Sequence, residues 1–184
     1  MKVASIQMSV VEGDKTATID KAIENIHRCE GNDLVILPEI WNIGFMSFDR
    51  YLSEAEDSSG QTLRRLRAAA KEAGLYLHTG SFVEDKNGKY YNSSYLISPD
   101  GDVLANYLKI HLFGYNSKET QLLSPGDSIV TVGTPLGKIG LATCYDLRFP
   151  ELFRRMVEQG AEIFLVCSAW PYPRLEHWLM LNRV

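Results

Sequence analysis

The stretch Gly137-Lys-Ile-Gly-Leu-Ala-Thr-Cys144-Tyr-Asp-Leu-Arg-Phe-Pro-Glu151 holds an apolar run, a polar break and a helix start in direct succession. Lys138–Thr143 reads as a strand. Pro150 suits the first turn of a helix reaching Gln159, and Gly160 stops it. A strand that breaks through a turn into a helix is the repeating unit of α/β sheets, and those sheets place their chemistry at the carboxyl ends of strands. Cys144 stands at such an end, held rigidly yet facing a crevice.

Two charged residues occupy the same kind of position. Glu39 follows Asp33-Leu-Val-Ile-Leu-Pro38, whose continuous apolar core reads as a central strand. Lys109 ends Asp102-Val-Leu-Ala-Asn-Tyr-Leu108. A carboxylate, an ammonium and a thiol at strand ends make a base, an oxyanion partner and a nucleophile. Each has a plainer reading alone: a turn cap for Glu39, a solvated strand end for Lys109, a buried apolar thiol for Cys144. Three on one rim outweigh the separate readings. Cys29, in a polar helix end, and Cys167, inside an apolar run, keep the structural role.

The remaining pattern alternates strands and helices. Met1–Met8 is a first strand. Ile19, Ala22, Ile23 and Ile26 recur at helical spacing and predict a helix over about residues 15–29. Gly60 opens a second helix with Leu63, Leu66, Ala69, Ala70 and Ala73 on one face, and Gly74 ends it. Leu75–Val83 and Tyr90–Ile97 are strands joined through Glu84-Asp-Lys-Asn-Gly88, a hairpin signal; Tyr90, Tyr91 and Tyr95 pack that hairpin. Residues 110–127 are irregular, and a loop of that length is a functional candidate. Ile129–Val132 and Ala161–Cys167 complete the strands, and Arg174–Val184 is a last helix. The order predicts an α/β or α+β layered fold, with helices covering two sheets.

The 184 residues allow one domain with a sizeable core, and 45% hydrophobic and 23% charged residues are ordinary for a soluble protein. A net charge of −4 argues against a nucleic-acid partner. No apolar run is long enough to span a bilayer, and the N-terminus lacks a signal peptide's pattern. Three cysteines without a close pair point to a reducing cytoplasm rather than a disulfide framework. His27, His78, His111 and His177 show no metal-ligand spacing, and Gly133–Gly140 lies between strands, not before a helix as a phosphate loop would. Neither a metal nor an organic cofactor is expected.

Glu39, set among Ile36, Leu37, Pro38, Ile40 and Trp41, is placed to accept the Cys144 proton in a poorly solvated spot. Lys109 and the Tyr145 backbone N–H are the oxyanion donors. A Cys144–His111 pair is the weaker alternative, because no nearby Asn or Asp in the sequence obviously orients the imidazole.

Leu37-Pro-Glu39, Tyr107-Leu-Lys109-Ile-His-Leu-Phe113, Leu123-Ser-Pro-Gly-Asp127, Cys144-Tyr-Asp-Leu-Arg-Phe-Pro-Glu151, Ser168-Ala-Trp-Pro171 and His177-Trp178 together resemble the nitrilase, or carbon–nitrogen hydrolase, superfamily. The resemblance runs from Met1 to the last residue, and the Cys-Tyr-Asp-Leu-Arg-Phe-Pro run is most similar to the omega-amidase-like branch, which acts on small amides of dicarboxylic acids. It implies a four-layer α-β-β-α sandwich, a homodimer or higher homo-oligomer, a Glu39–Lys109–Cys144 triad and a thioester intermediate. It also implies a second glutamate, Glu119, that positions substrate or lysine. Arg148 and Glu151 would brace the nucleophile turn. Members of that family run on past the point where this chain stops, so residues 1–184 are expected to be one carbon–nitrogen hydrolase domain lacking its C-terminal part. Arg148, Arg174 and Arg183 are the candidates for a substrate carboxylate. Nitrile hydrolysis or acyl transfer at the same triad, or an inactive binding or oligomerising module, are the alternatives.

Overall fold

Two sheets stack face to face between helical layers in the computed structural model, which describes residues 1–183. The first sheet has the order β1 (Val3–Ser5), β2 (Leu34–Ile36), β3 (Tyr76–Lys86), β4 (Lys89–Ile97) and β5 (Val103–Leu108). Its first three strands are parallel and its last two are antiparallel additions. The second sheet has β6 (Thr131–Thr134) antiparallel to β7 (Gly137–Thr143), and β7 parallel to β8 (Ile163–Cys167).

Three apolar clusters define the layers. Ile19, Ala22 and Ile26 of α1 (Lys15–Arg28) and Leu63, Leu66 and Ala70 of α2 (Gln61–Ala73) bury against Val35, Leu77 and Ile97 of the first sheet. Leu34, Leu96 and Tyr107 of that sheet meet Ile139, Leu141 and Leu165 of the second. Leu152 and Met156 of α4 (Pro150–Glu158) cover Ala142 on the outer side. The result is the expected α-β-β-α stack. Strand periodicity does the sorting: on β4, Tyr95 and Ile97 face the helices while Leu96 faces the second sheet.

Local chemistry sets the boundaries. The Asp14 side chain accepts from Ala17 N and starts α1. Gly74, left-handed at φ +63°, ends α2. Asn87 and Gly88, both at positive φ, make the two-residue turn between β3 and β4. The irregular stretch 110–127 contains a single helical turn, α3 (Glu119–Leu122). The last helix, α5, spans Leu175–Leu181, shorter than the expected Arg174–Val184, and Val184 lies outside the described residues. No helix among the described residues is long and apolar enough to cross a membrane.

One irregularity in β3 shapes the site. The register shifts between His78 and Ser81, so Leu77 and Phe82 share the helix-facing side despite an odd spacing. Gly80, at φ +61°, occupies the bulge, where an added side chain would meet the Pro38 carbonyl oxygen. Ser81 N donates to that oxygen (3.0 Å), and Ser81 Oγ accepts from Ile40 N (3.1 Å). The bulge thus grips the backbone on both sides of Glu39.

His78 beside the bulge makes folding sensitive to acid. It is fully buried; its Nδ1 accepts from Gly80 N (3.2 Å), and its Nε2 has no partner among the described residues. Burial drives its pKa from 6.5 down to about 4. Because the folded value is depressed, the unfolded chain binds the extra proton first. The contribution of His78 to stability is therefore full above pH 6.5 and is expected to fall by about 3 kcal/mol as pH drops toward 4. His78→Asn keeps an acceptor for Gly80 N and cannot titrate. Urea unfolding at pH 7 and pH 4.5 should therefore show a smaller acid loss in the variant than in the wild type; equal losses would exclude His78 as the source.

Candidate active site

Glu39 follows β2 in a turn whose next residue, Ile40, sits at φ +42°, a strained conformation for a β-branched side chain. Its carboxylate is fully buried. Oε1 accepts from Lys109 Nζ (2.8 Å) and Asn92 Nδ2 (3.0 Å), and Oε2 accepts from the Ala169 N–H (2.9 Å). Lys109 directly follows β5, and its backbone N–H donates to Asn92 O (2.9 Å). Its side chain is fully buried, and Nζ also donates to both oxygens of Glu119, each at 3.0 Å. Glu119, in the first turn of α3, further accepts from Asn92 Nδ2 (2.8 Å) and Phe113 N (2.7 Å).

The electrostatics follow from one ammonium between two carboxylates in a dry site. Burial alone would neutralise Lys109, but Glu39 and Glu119 outweigh it and hold its pKa above the usual lysine value. For Glu119, burial pushes the carboxyl up and Lys109 pulls it down, leaving it raised.

Cys144 is the first residue of a 3-10 turn, Cys144–Arg148, that continues β7. Its φ of +48° is a second strained position, in the manner of a nucleophile turned out at a strand end. Burial raises the thiol well above its ordinary pKa and the Glu39 charge adds to this, against Lys109 and Ser168. Burial and the Glu39 charge thus both favour the protonated thiol. Cys167 is also pushed up, to about 12, by burial and then by Glu39, which suits the structural role expected for it. Cys29 closes α1 half-buried.

Cys144 opens onto a cavity of about 760 Å³, walled by Gly44–Ser47, Phe113–Asn116, Tyr145, Arg148 and Ala169–Arg174 in part. Tyr145 packs edge-on against Phe113 and Phe149. As the second residue of the turn, its backbone N–H has no acceptor within that turn. Arg148 lies over the rings of Tyr145 and Trp170, and Arg174 over those of Phe113 and Tyr115. Both line the cavity, and neither pairs with a carboxylate among the described residues; Arg183 is exposed and is not part of the wall.

The structure thus brings Glu39, Lys109 and Glu119 into direct contact and sets Cys144 beside them. Two expectations change. Glu151 is exposed on α4, so bracing the nucleophile turn falls instead to Asp146, which closes a capping box with Thr143. An aspartate does orient His111: Asp146 Oδ1 accepts from its Nδ1 at 2.7 Å, and the ring stacks on Phe149. Among the described residues Asp146 is the one side-chain hydrogen-bond partner of the His111 ring. Asn92, donor to both glutamates, was missed; its signal was a polar Asn-Ser-Ser run inside a buried strand, where asparagine is disfavoured.

The four layers and this constellation define a class. The carbon-nitrogen hydrolase family model matches residues 2–184, and the chain belongs to that family. Over its whole length it is 32% identical to a 2-oxoglutaramate amidase of Paenarthrobacter nicotinovorans, and over 99% of it 35% identical to omega-amidase NIT2 of Homo sapiens. It spans 65% and 68% of the lengths of these two relatives. Among solved structures, Saccharomyces cerevisiae Nit3, a member of branch 10 of the nitrilase superfamily, superposes on all of this chain and 70% of its own with a TM-score of 0.89 at 32% identity.

Proposed function

We propose that the protein hydrolyses a small carboxylic amide to the acid and ammonia through a thioester on Cys144. The observation that carries this reading is the buried Glu39–Lys109–Glu119 cluster beside a buried thiol on a strained turn. As Cys144 Sγ attacks the amide carbon, Glu39 accepts its proton. Negative charge gathers on the former carbonyl oxygen, where Lys109 Nζ and the Tyr145 N–H stabilise it. Lys109 holds Glu119 at both oxygens, so one of those bonds can be exchanged for the oxyanion. Glu39 then passes the proton to nitrogen, the C–N bond breaks and ammonia leaves. In the second half Glu39 takes a proton from water, whose oxygen attacks the thioester carbon, and returns it to sulfur as the C–S bond breaks. Glu119 holds Lys109 and positions the amide nitrogen.

The far end of the substrate is a carboxylate, as in a dicarboxylic monoamide. Arg148 and Arg174, without acidic partners among the described residues and held over aromatic rings in the cavity wall, support this. The same reading places the protein in the cytoplasm, where its three free cysteines stay reduced. It also assembles the chain with further copies of itself, which the exposed Tyr172, just before α5, and Leu179 and Met180, on it, favour.

The deciding experiment follows ammonia release from a panel of monoamides with and without a distal carboxylate, together with the matching nitriles. Turnover of the carboxylate-bearing amides, lost by at least about 10⁴-fold in Cys144→Ala, is the expected result. Wild-type silence across the panel, or a Cys144→Ala variant that still releases ammonia, would overturn it.

A further inference from the structure

We propose that Asp146 is the positioning residue that sets Cys144 against Lys109, acting through Tyr107 and His111 and touching no reacting atom. The inference rests on the proposed function only in taking Cys144 as the nucleophile. The two side chains arrive on different sheets, Lys109 from the end of β5 and Cys144 from the end of β7. The interface between those sheets is apolar, and apolar contact has no direction of its own. Directional ties must come from elsewhere.

Asp146 supplies them. Its Oδ2 accepts from Thr143 N (2.9 Å), the residue before the nucleophile, and from Tyr107 Oη (2.7 Å). Its Oδ1 accepts from His111 N (3.0 Å) and His111 Nδ1 (2.7 Å). Tyr107 and His111 stand two residues before and two residues after Lys109. One carboxylate therefore grips the nucleophile turn on one side and brackets the lysine on the other. Asp146 is fully buried, and no Lys or Arg pairs with it among the described residues. A charge held this way is expensive to bury, and four converging donors at well-formed distances offset that cost. The stacked Phe149 ring, 3.6 Å from the imidazole, fixes the plane in which His111 donates. The same grip on Thr143 holds Cys144 at its positive φ.

The test reads the thiol directly. The rate of Cys144 alkylation by iodoacetamide is measured by peptide mass spectrometry with Cys29 as internal reference, alongside kcat and KM for an amide. Tyr107→Phe and His111→Ala each remove one tie. Each is expected to slow alkylation and kcat by about 10- to 100-fold with KM within about twofold, as a small misplacement of reacting groups does. His111→Asn, whose Nδ2 replaces the Nδ1 donor, should recover most of the loss. Asp146→Asn should be no better than the Tyr107→Phe/His111→Ala double variant. Folded single variants with alkylation and kcat within about twofold of wild type, even with a lowered Tm, would overturn the proposal, as would equal losses in His111→Asn and His111→Ala. If no amide is turned over, the alkylation series alone still decides between these outcomes.

Discussion

Lys109→Met is expected to lower stability by about 3–5 kcal/mol, because it removes the shared cation from two buried carboxylates while keeping most of the volume. For a chain of this length that is a fall in Tm of roughly 10 °C or more. The size of the effect comes from what is left behind. Glu39 and Glu119 each lie within 3.0 Å of the lysine nitrogen, and neither has another cation in contact among the described residues. Asn92 donates to both but cannot cancel a charge.

The pH dependence carries its own sign. Glu119 already sits above its ordinary value of 4.5 through burial, and Lys109 is the strongest influence pulling it down. Without Lys109 the carboxyl rises further, so the variant's deficit is smallest in acid and grows as pH rises past the raised value the carboxyl has in the wild type. Glu119→Gln in the same molecule removes one of the stranded charges. The double variant should therefore be more stable than Lys109→Met alone, a coupling that distant sites do not show. A Lys109→Met protein within about 1 kcal/mol of wild type from pH 5 to 8 would mean that the cluster is not held by charge.

Much of this site was legible because strand ends are legible. Leu-Val-Ile-Leu before Pro38, Val-Leu-Ala-Asn-Tyr-Leu before Lys109 and Ile-Gly-Leu-Ala-Thr before Cys144 each announce a buried strand, and each ends on a residue whose chemistry does not belong in a core. Glu119 was harder. It sits in a one-turn helix inside an irregular loop, and only the resemblance pointed to it. Asn92 and Asp146 were not recognised at all. Asn92 faces inward by strand parity, and that parity is trustworthy only once the bulge at Gly80 and the pairing of β4 are known. The role of Asp146 depends on contacts with Tyr107 and His111, residues 39 and 35 positions away, which no local pattern encodes. The layer order was readable from segment types; which strands form which sheet was settled by packing.

Glu39→Gln should separate proton transfer from nucleophilicity. The substitution preserves shape and leaves Lys109 paired with Glu119, so the fold is expected to survive. Turnover of an amide should nevertheless fall by about 10³- to 10⁴-fold, the upper range for loss of a positioned base. In the proposed reaction the base is needed in both halves, first to take the thiol proton and later to activate water. The thiol itself should respond in the opposite direction. The Glu39 charge is one of the influences that raise its pKa, after burial, so removing that charge brings the thiol back toward its ordinary range while Lys109 continues to favour the thiolate. Alkylation of Cys144 by iodoacetamide should therefore persist in the variant, with its pH midpoint displaced downward, while amide turnover is nearly gone. A purely structural role for Glu39 predicts that both readouts collapse together, because the Ala169 and Asn92 contacts would be lost with the site. Turnover within about tenfold of wild type would instead assign the base elsewhere. Only the split result, a reactive sulfur in an enzyme that no longer turns over, identifies Glu39 as the group that moves the proton.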